Sequence, residues 1–438
     1  MRHITQLLTA ALLLTGLGLS PVAAGGRDLG REVLGPRDGW AAAEGGTTGG
    51  AAAAPEHVAM VSTWAEFRAA LGGAQARGDI TPRIVYVQGQ IDANLTPDGR
   101  RLTCEDYADP AYSLEAYLAA YDPATWGRRR PSGPLEEARA RSAANQAAQI
   151  RQYIGSNVTI VGLGDDARIV GANLVVRDAE NVIIRNLELS DAYDCFPAWD
   201  PLDGSSGNWN AAYDNLWIAN ARHVWIDHNT FNDGAHPPAT LPTYFGRKYE
   251  VHDGLLDITN GADLITVSYN RFENHDKAML IGSSNTSTVD PGRLRVTLHH
   301  NLFRDMGQRT PRVRFGQVHV YNNYYHEPSG AIYSYSWGVG VQSQIYAENN
   351  FFALAPTIAP AQVIVDWGGT GLYETGTLLN GRARHNAVSL LAAYNAAHDP
   401  DLSGARTWQP MLYERIDPTQ AVPALVRAHA GAGRITGR

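Results

Sequence analysis

From Val158 onward, short β-branched and aromatic runs recur. Many close on an asparagine, followed within two places by an apolar or aromatic residue. Val182-Ile183-Ile184-Arg185-Asn186-Leu187 is the first and Val224-Trp225-Ile226-Asp227-His228-Asn229-Thr230-Phe231 the second. The pattern returns around Asn270, Asn301, Asn322-Asn323 and Asn349-Asn350, with intervals of 43, 41, 31, 22 and 27 residues. A unit in the low twenties fits, with two units in the first intervals and insertions elsewhere. One such strand-and-turn unit cannot cover its own apolar face, so it must stack on its neighbours as a solenoid. Asparagines stacked at one corner would hydrogen-bond through their amides and tolerate a left-handed backbone there. Leucine-rich spacing is absent, and a propeller blade would need a longer unit. The expected fold is all-β, a parallel β-helix.

The N-terminal part reads differently. Trp64 to Leu71 predicts a helix ending at Gly72-Gly73, Ile84 to Val87 a strand, and Leu114 to Leu118 a helix. Pro134 to Ile154 predicts a longer helix opened by proline. A tail from about Gly376 to Arg438 is expected to wrap or cap the solenoid.

Arg2, an apolar run from Leu7 to Leu19 and the small residues Val22 and Ala24 predict an export signal over residues 1–24. The run is too short to span a membrane, so the mature protein is expected to be secreted, with no membrane attachment. Residues 25–55, rich in Gly, Ala and Thr, predict a flexible leader, and 56–438 a single domain. Cys104 and Cys195 are the two cysteines of an exported chain, which favours a disulfide between them. With 36 Lys+Arg against 44 Asp+Glu the chain is acidic, so nucleic acid is not an expected partner.

Three clusters carry candidate chemistry. Asp203, Asp214, Asp253 and Asp257 could supply an oxygen-rich shell of the kind calcium prefers. Asp253 and Asp257, four apart, would share a side if both lay in one strand. No Cys/His spacing supports zinc. Arg309-Thr310-Pro311-Arg312-Val313-Arg314 concentrates guanidinium groups where Pro311 forbids a helix, and Lys277 precedes it. Arginines near carboxylates in an acidic protein suggest an anionic ligand bridged by metal. Trp225, His228, His299, His300, His319 and Tyr321 read mainly as core or ladder positions, and no G-x-S-x-G elbow is present.

Val224-Trp225-Ile226-Asp227-His228, Asp253-Gly254-Leu255-Leu256-Asp257-Ile258, His275-Asp276-Lys277 and Arg309-Thr310-Pro311-Arg312-Val313-Arg314-Phe315-Gly316 occur in that order. Together they resemble the extracellular pectate lyases of polysaccharide lyase family 1. Asp191-Ala192-Tyr193-Asp194 and Asp203-Gly204-Ser205-Ser206 resemble its bacterial branch. The resemblance runs from about Ile154 to Phe352 and implies a right-handed parallel β-helix with a calcium-lined cleft. It implies Asp214, Asp253 and Asp257 as calcium ligands, with Asp203 joining when substrate is present. It also implies Lys277 and Arg314 as binders of substrate carboxylate and Arg309 as the base. Asn229 departs from the family pattern, standing where many members have cysteine.

The implied reaction is calcium-dependent β-elimination of polygalacturonate, expected to be endo-acting and carried out by a monomer. A guanidinium ordinarily keeps its proton, so an arginine base implies an alkaline optimum. A pectin lyase would have lost the acidic cluster. A polygalacturonase would need paired carboxylates at hydrolytic spacing. A non-catalytic polyuronate-binding protein would keep the cleft and lose the base.

Overall fold

The computed structural model describes residues 27–381 and 389–437. Residues 1–24, read as an export signal, lie outside them. The chain folds into a parallel β-helix whose coils stack in register. One face is an eight-stranded sheet made, in chain order, of β1 (Arg151–Ile154), β2 (Asn173–Arg177), β3 (Leu216–Ala219), β4 (Leu256–Thr259), β5 (Leu280–Ile281), β6 (Arg312–Val313), β7 (Trp337–Gly340) and β8 (Ile364–Trp367). Two further runs of parallel strands close the coil. One runs through Glu180–Arg185, Arg222–Asp227, Asp263–Ser268 and Val296–His299. The other runs through Thr230–Asn232, Arg271–Lys277, Leu302–Gln308 and Tyr324–Glu327.

Alternation places one apolar set inside. Val224, Ile226, Ile265, Val267, Val296 and Leu298 are fully buried and aligned from coil to coil. Phe231, Phe272, Phe303, Tyr325 and Phe352 form an internal stack with ring centres 5.0, 5.1, 5.0 and 4.1 Å apart. At the corner between the two runs, Asn229, Asn270, Asn301, Asn323 and Asn350 join Nδ2 to Oδ1 at 3.1, 3.1, 3.0 and 3.2 Å. Each accepting Oδ1 also takes the backbone N–H of the preceding asparagine, so these buried amides are satisfied.

Two details differ from expectation. Asn186 stands outside this ladder, its amide donating to Gly162 and Gly164, while Leu187 occupies the aligned position. The left-handed backbone falls on the residue before each ladder asparagine, at His228, Tyr269, His300, Asn322 and Asn349. The rings of His228, Tyr269 and His300 stack 4.9 and 4.7 Å apart, which helps hold bulky residues in that conformation.

The helix predicted to reach Ile154 ends at Ile150, because Arg151–Ile154 pairs with β2 as the first strand of the sheet. Residues from 27 to 55, expected to be a flexible leader, are ordered as a strap across the outside of the helix. Leu29, Leu34, Ala41 and Ala53 are buried. The backbone N–H groups of Trp40, Ala41 and Gly50 donate to Thr297, Thr266 and Thr159. The glycines serve close approach rather than flexibility: a Cβ at Gly50 would stand 1.9 Å from the Arg83 carbonyl oxygen.

Glu32 of the strap pairs with Arg185, which pairs with Asp227 at 2.8 Å and covers the Trp225 ring at 4.3 Å. Burial alone would push the Asp227 carboxyl up, but His228 and Arg185 outweigh it and hold it well below the usual carboxylate range. The Trp-Ile-Asp-His run is therefore structural, with His299 and His300 likewise engaged by Asp38 and Asp417. A disulfide joins Cys104 to Cys195, and the inserted helices pack on an aromatic cluster including Tyr117, Trp199, Trp209 and Tyr249. The C-terminal tail returns along the outside, its helix Val422–His429 covering Leu302 and Tyr324. Among the described residues no helix is long and apolar enough to cross a membrane.

Two stability predictions arise here. Asp227→Ala takes the buried carboxylate from Arg185, leaving it only Glu32 of the strap, and should cost about 3–5 kcal/mol in denaturant unfolding; a loss below about 1 kcal/mol would contradict the role assigned to the pair. Burial pushes the Glu327 carboxyl up to about 9, its oxygens accepting from the Met306 N–H. The folded state thus keeps a proton that the unfolded chain loses, and stability should fall as pH rises from the carboxylate range towards 9. Glu327→Gln should therefore raise the melting temperature increasingly between about pH 5 and pH 9, and a pH-independent difference would refute this.

Candidate active site

The outer face of the eight-stranded sheet gathers the predicted residues from consecutive coils. Asp214 lies two residues before β3, Asp257 within β4, and Asp253 in the loop entering β4. Asp253 and Asp257 therefore do not share one strand. Lys277 ends the strand Arg271–Lys277 just before β5, and Arg309 and Arg314 flank β6.

The carboxylates meet over a glycine. Gly254 N–H donates to Asp214 Oδ1 at 2.7 Å, and Leu280 N–H donates to Asp257 Oδ1 at 2.9 Å. A Cβ at Gly254 would lie 2.5 Å from Asp257 Oδ1 and 2.8 Å from Asp214 Oδ1, so only glycine leaves that space open to both oxygens. Burial, then repulsion from Asp257 and Asp253, pushes the Asp214 carboxyl well up. Burial, then Asp253, pushes Asp257 up to about 7. Asp253 Oδ1 instead meets Lys277 Nζ at 3.3 Å. Burial would push the Lys277 ammonium down, and Arg309 adds to that, but Asp253, Glu250 and Asp276 outweigh both and hold it up.

Opposite stand the guanidinium groups. Arg314 donates to Asn285 Oδ1 at 2.6 Å and to the Gly282 carbonyl at 2.9 Å. Burial, with Arg309 beside it, lowers Arg314. Burial and the neighbouring Arg314 push Arg312 down to about 10. Arg309 occupies a left-handed backbone position at φ 62°, and its buried Nε has no hydrogen-bond partner among the described residues. Among the described residues, neither Arg309 nor Arg312 has a carboxylate within ion-pair distance.

The donor set suits a hard divalent cation. It is all oxygen, it includes two buried carboxylates for which burial and mutual repulsion outweigh the nearby cations, and it has a glycine cradle between them. Among the described residues no three such groups already converge on one metal position, and Asp253 is held by Lys277. Among the described residues no hydrogen bond or ion pair joins Asp203 to Asp214, Asp253 or Asp257. Asp203 is exposed, in the turn of the hairpin Ala198–Asp200/Asn208–Asn210. Gly254, Asn285 and the role of Arg312 were missed from sequence. The signal for Gly254 was present, between two candidate ligands; Asn285 acts from a loop with no motif.

The family model described as pectate lyase matches residues 134–417. The pectate lyase of Bacillus subtilis strain 168 is 48% identical over 422 residues, covering 96% of this chain and 97% of the relative. Pectate lyase E of Dickeya chrysanthemi is 35% identical, covering 86% and 84%. Among solved structures, a thermostable pectate lyase superposes with a TM-score of 0.91 at 50% identity, covering 93% of this chain and all of the other. A pectate lyase bound to a hexasaccharide gives 0.88 at 48% identity, covering 94% and 100%. The sheet-borne array of aspartates and arginines thus sits in a chain that belongs to the pectate lyase family.

Proposed function

We propose that this enzyme cleaves polygalacturonate by calcium-dependent β-elimination, within the chain, as a secreted monomer. The observation that carries the reading is the cradle over Gly254, where two buried carboxylates lie near arginines that have no carboxylate partner among the described residues. Asp214, Asp257 and Asp253 would hold calcium, with Asp203 as a further candidate in the substrate complex. Bound there, calcium would draw electron density from the substrate carboxylate and acidify the adjacent C5–H.

Lys277 and Arg314 bind the same carboxylate and stabilise the negative charge that grows on it. Their fixed partners, Asp253, Asn285 and the Gly282 carbonyl, orient them before substrate arrives. Arg309 takes the C5 proton. The electron pair left on C5 forms the C4–C5 double bond as the C4–O bond breaks. The departing glycosidic oxygen then takes up a proton. One product carries a new non-reducing unsaturated unit, the other a new hydroxyl, and no water is consumed.

Mixing the protein with polygalacturonate and calcium should raise the ultraviolet absorbance of unsaturated product, and excess chelator should abolish the rise. New reducing ends without that absorbance would refute elimination. Arg309→Ala should lower kcat by at least about 100-fold with the fold intact by circular dichroism; near-full turnover would remove Arg309 as the base. Activity should climb with pH into the alkaline range, and an acidic optimum would count against an arginine base. Gly254→Ala should weaken calcium binding, read by calorimetry, by roughly ten-fold or more without lowering the melting temperature comparably. Unchanged affinity would refute the cradle.

A further inference from the structure

Beyond Arg314 the floor of the cleft changes character. Trp337 and Val339 of β7 are fully buried, so its two outward positions are Gly338 and Gly340. Arg312 aligns with Gly338, and Gly340 aligns with Trp367 of β8. A Cβ at Gly338 would stand 2.9 Å from Arg312 Cγ, and one at Gly340 2.9 Å from Arg314 Cγ. Bare backbone therefore lets the arginine stems lie across β7.

The Arg312 guanidinium ends 4.2 Å from the centre of the Trp367 ring. That indole is 40% exposed, unusual for a ring of its size. Tyr335 stands behind it, ring centres 6.2 Å apart. Its hydroxyl is buried and makes no hydrogen bond of good geometry, although Arg309, Arg312 and Trp367 lie close to it. Arg312 Nε is likewise buried and has no hydrogen-bond partner among the described residues.

We infer that Trp367 and Arg312, over the glycine floor of β7, form an outer subsite for a uronate unit of a long substrate chain. This rests on the polygalacturonate reading above. The chemistry is that of an acidic sugar: its C–H groups pack along the exposed part of the indole, and its carboxylate meets the guanidinium of Arg312 that lies over the ring. Neighbouring strands are about 4.8 Å apart, so β8 lies about 19 Å along the sheet from β4. Only an oligomer of several units reaches both the carboxylate cluster and Trp367. The subsite therefore sets a chain-length preference and leaves the chemical step alone.

The test compares trigalacturonate, hexagalacturonate and polygalacturonate on wild type, Trp367→Ala and Trp367→Phe, with thermal melts to confirm folding. Trp367→Ala should raise KM for hexamer and polymer by roughly three- to ten-fold, with kcat within about two-fold and the trimer unaffected. Trp367→Phe should recover most of the loss. Equal KM values for the hexamer, or an equal rise for trimer and hexamer, would overturn the subsite. If wild type forms no unsaturated product, the lyase reading fails by itself. Calorimetric binding of hexagalacturonate then decides the subsite: weaker binding by Trp367→Ala supports it, and unchanged binding overturns it.

Discussion

In-register stacking of parallel coils is the constraint on which everything else here depends. The candidate catalytic groups come from separate coils, separated in sequence by tens of residues: Asp214, the Asp253–Asp257 loop, Lys277, and the Arg309–Arg314 segment. Each lies in or beside a strand whose pairing sets its place, and a slip of one residue would turn the strand-borne Asp257 and Lys277 to the other face. The buried asparagine ladder resists such a slip, because the Oδ1 atoms of Asn270, Asn301, Asn323 and Asn350 each accept two bonds from the coil before. Breaking register would bury unpaired amides at a cost of about 1–3 kcal/mol each. Insertions between coils leave this intact, so the loop carrying Lys248 and the helical insert can vary without moving the sheet.

Upon that frame sits an electrostatic conflict. Asp214 and Asp257 are buried near each other and pushed up, while Arg312 and Arg314 are pushed down by burial and by their cationic neighbours. Such mutual destabilisation is tolerated at functional sites and relieved by ligand. A cation answers the carboxylates, and a polyanion answers the arginines. A polyuronate bridged by calcium supplies both at once, which is why the cluster reads as one site rather than two.

Much of this was legible in the sequence because the solenoid is nearly one-dimensional. Repeated β-branched runs, Asn229 to Asn350, and the Asp253–Asp257 and Arg309–Arg314 motifs pointed to the fold and to the cluster. The misreadings have physical causes. The segment over 25–55 looked flexible by composition, yet its glycines are what allow contact with Arg83 and Thr159. Asn186 resembled a ladder residue, but its neighbour Leu187 holds the position. The left-handed corner was assigned to asparagine itself when the preceding residue carries it. The neighbourhood of Arg312, Gly338 and Trp367 exists only through strand register, which no spacing in the chain revealed.

The central claim is that the bond breaks by elimination, with proton removal by the chain's own residues and no attack by water. Digesting polygalacturonate with this enzyme and calcium in heavy-oxygen water, then weighing the fragments by mass spectrometry, tests it most directly. The account predicts that cleavage brings in no solvent oxygen and that each cut leaves one fragment lighter by one water than its saturated counterpart. Incorporation of one heavy oxygen per cleavage, with only saturated fragments, would show hydrolysis and contradict it.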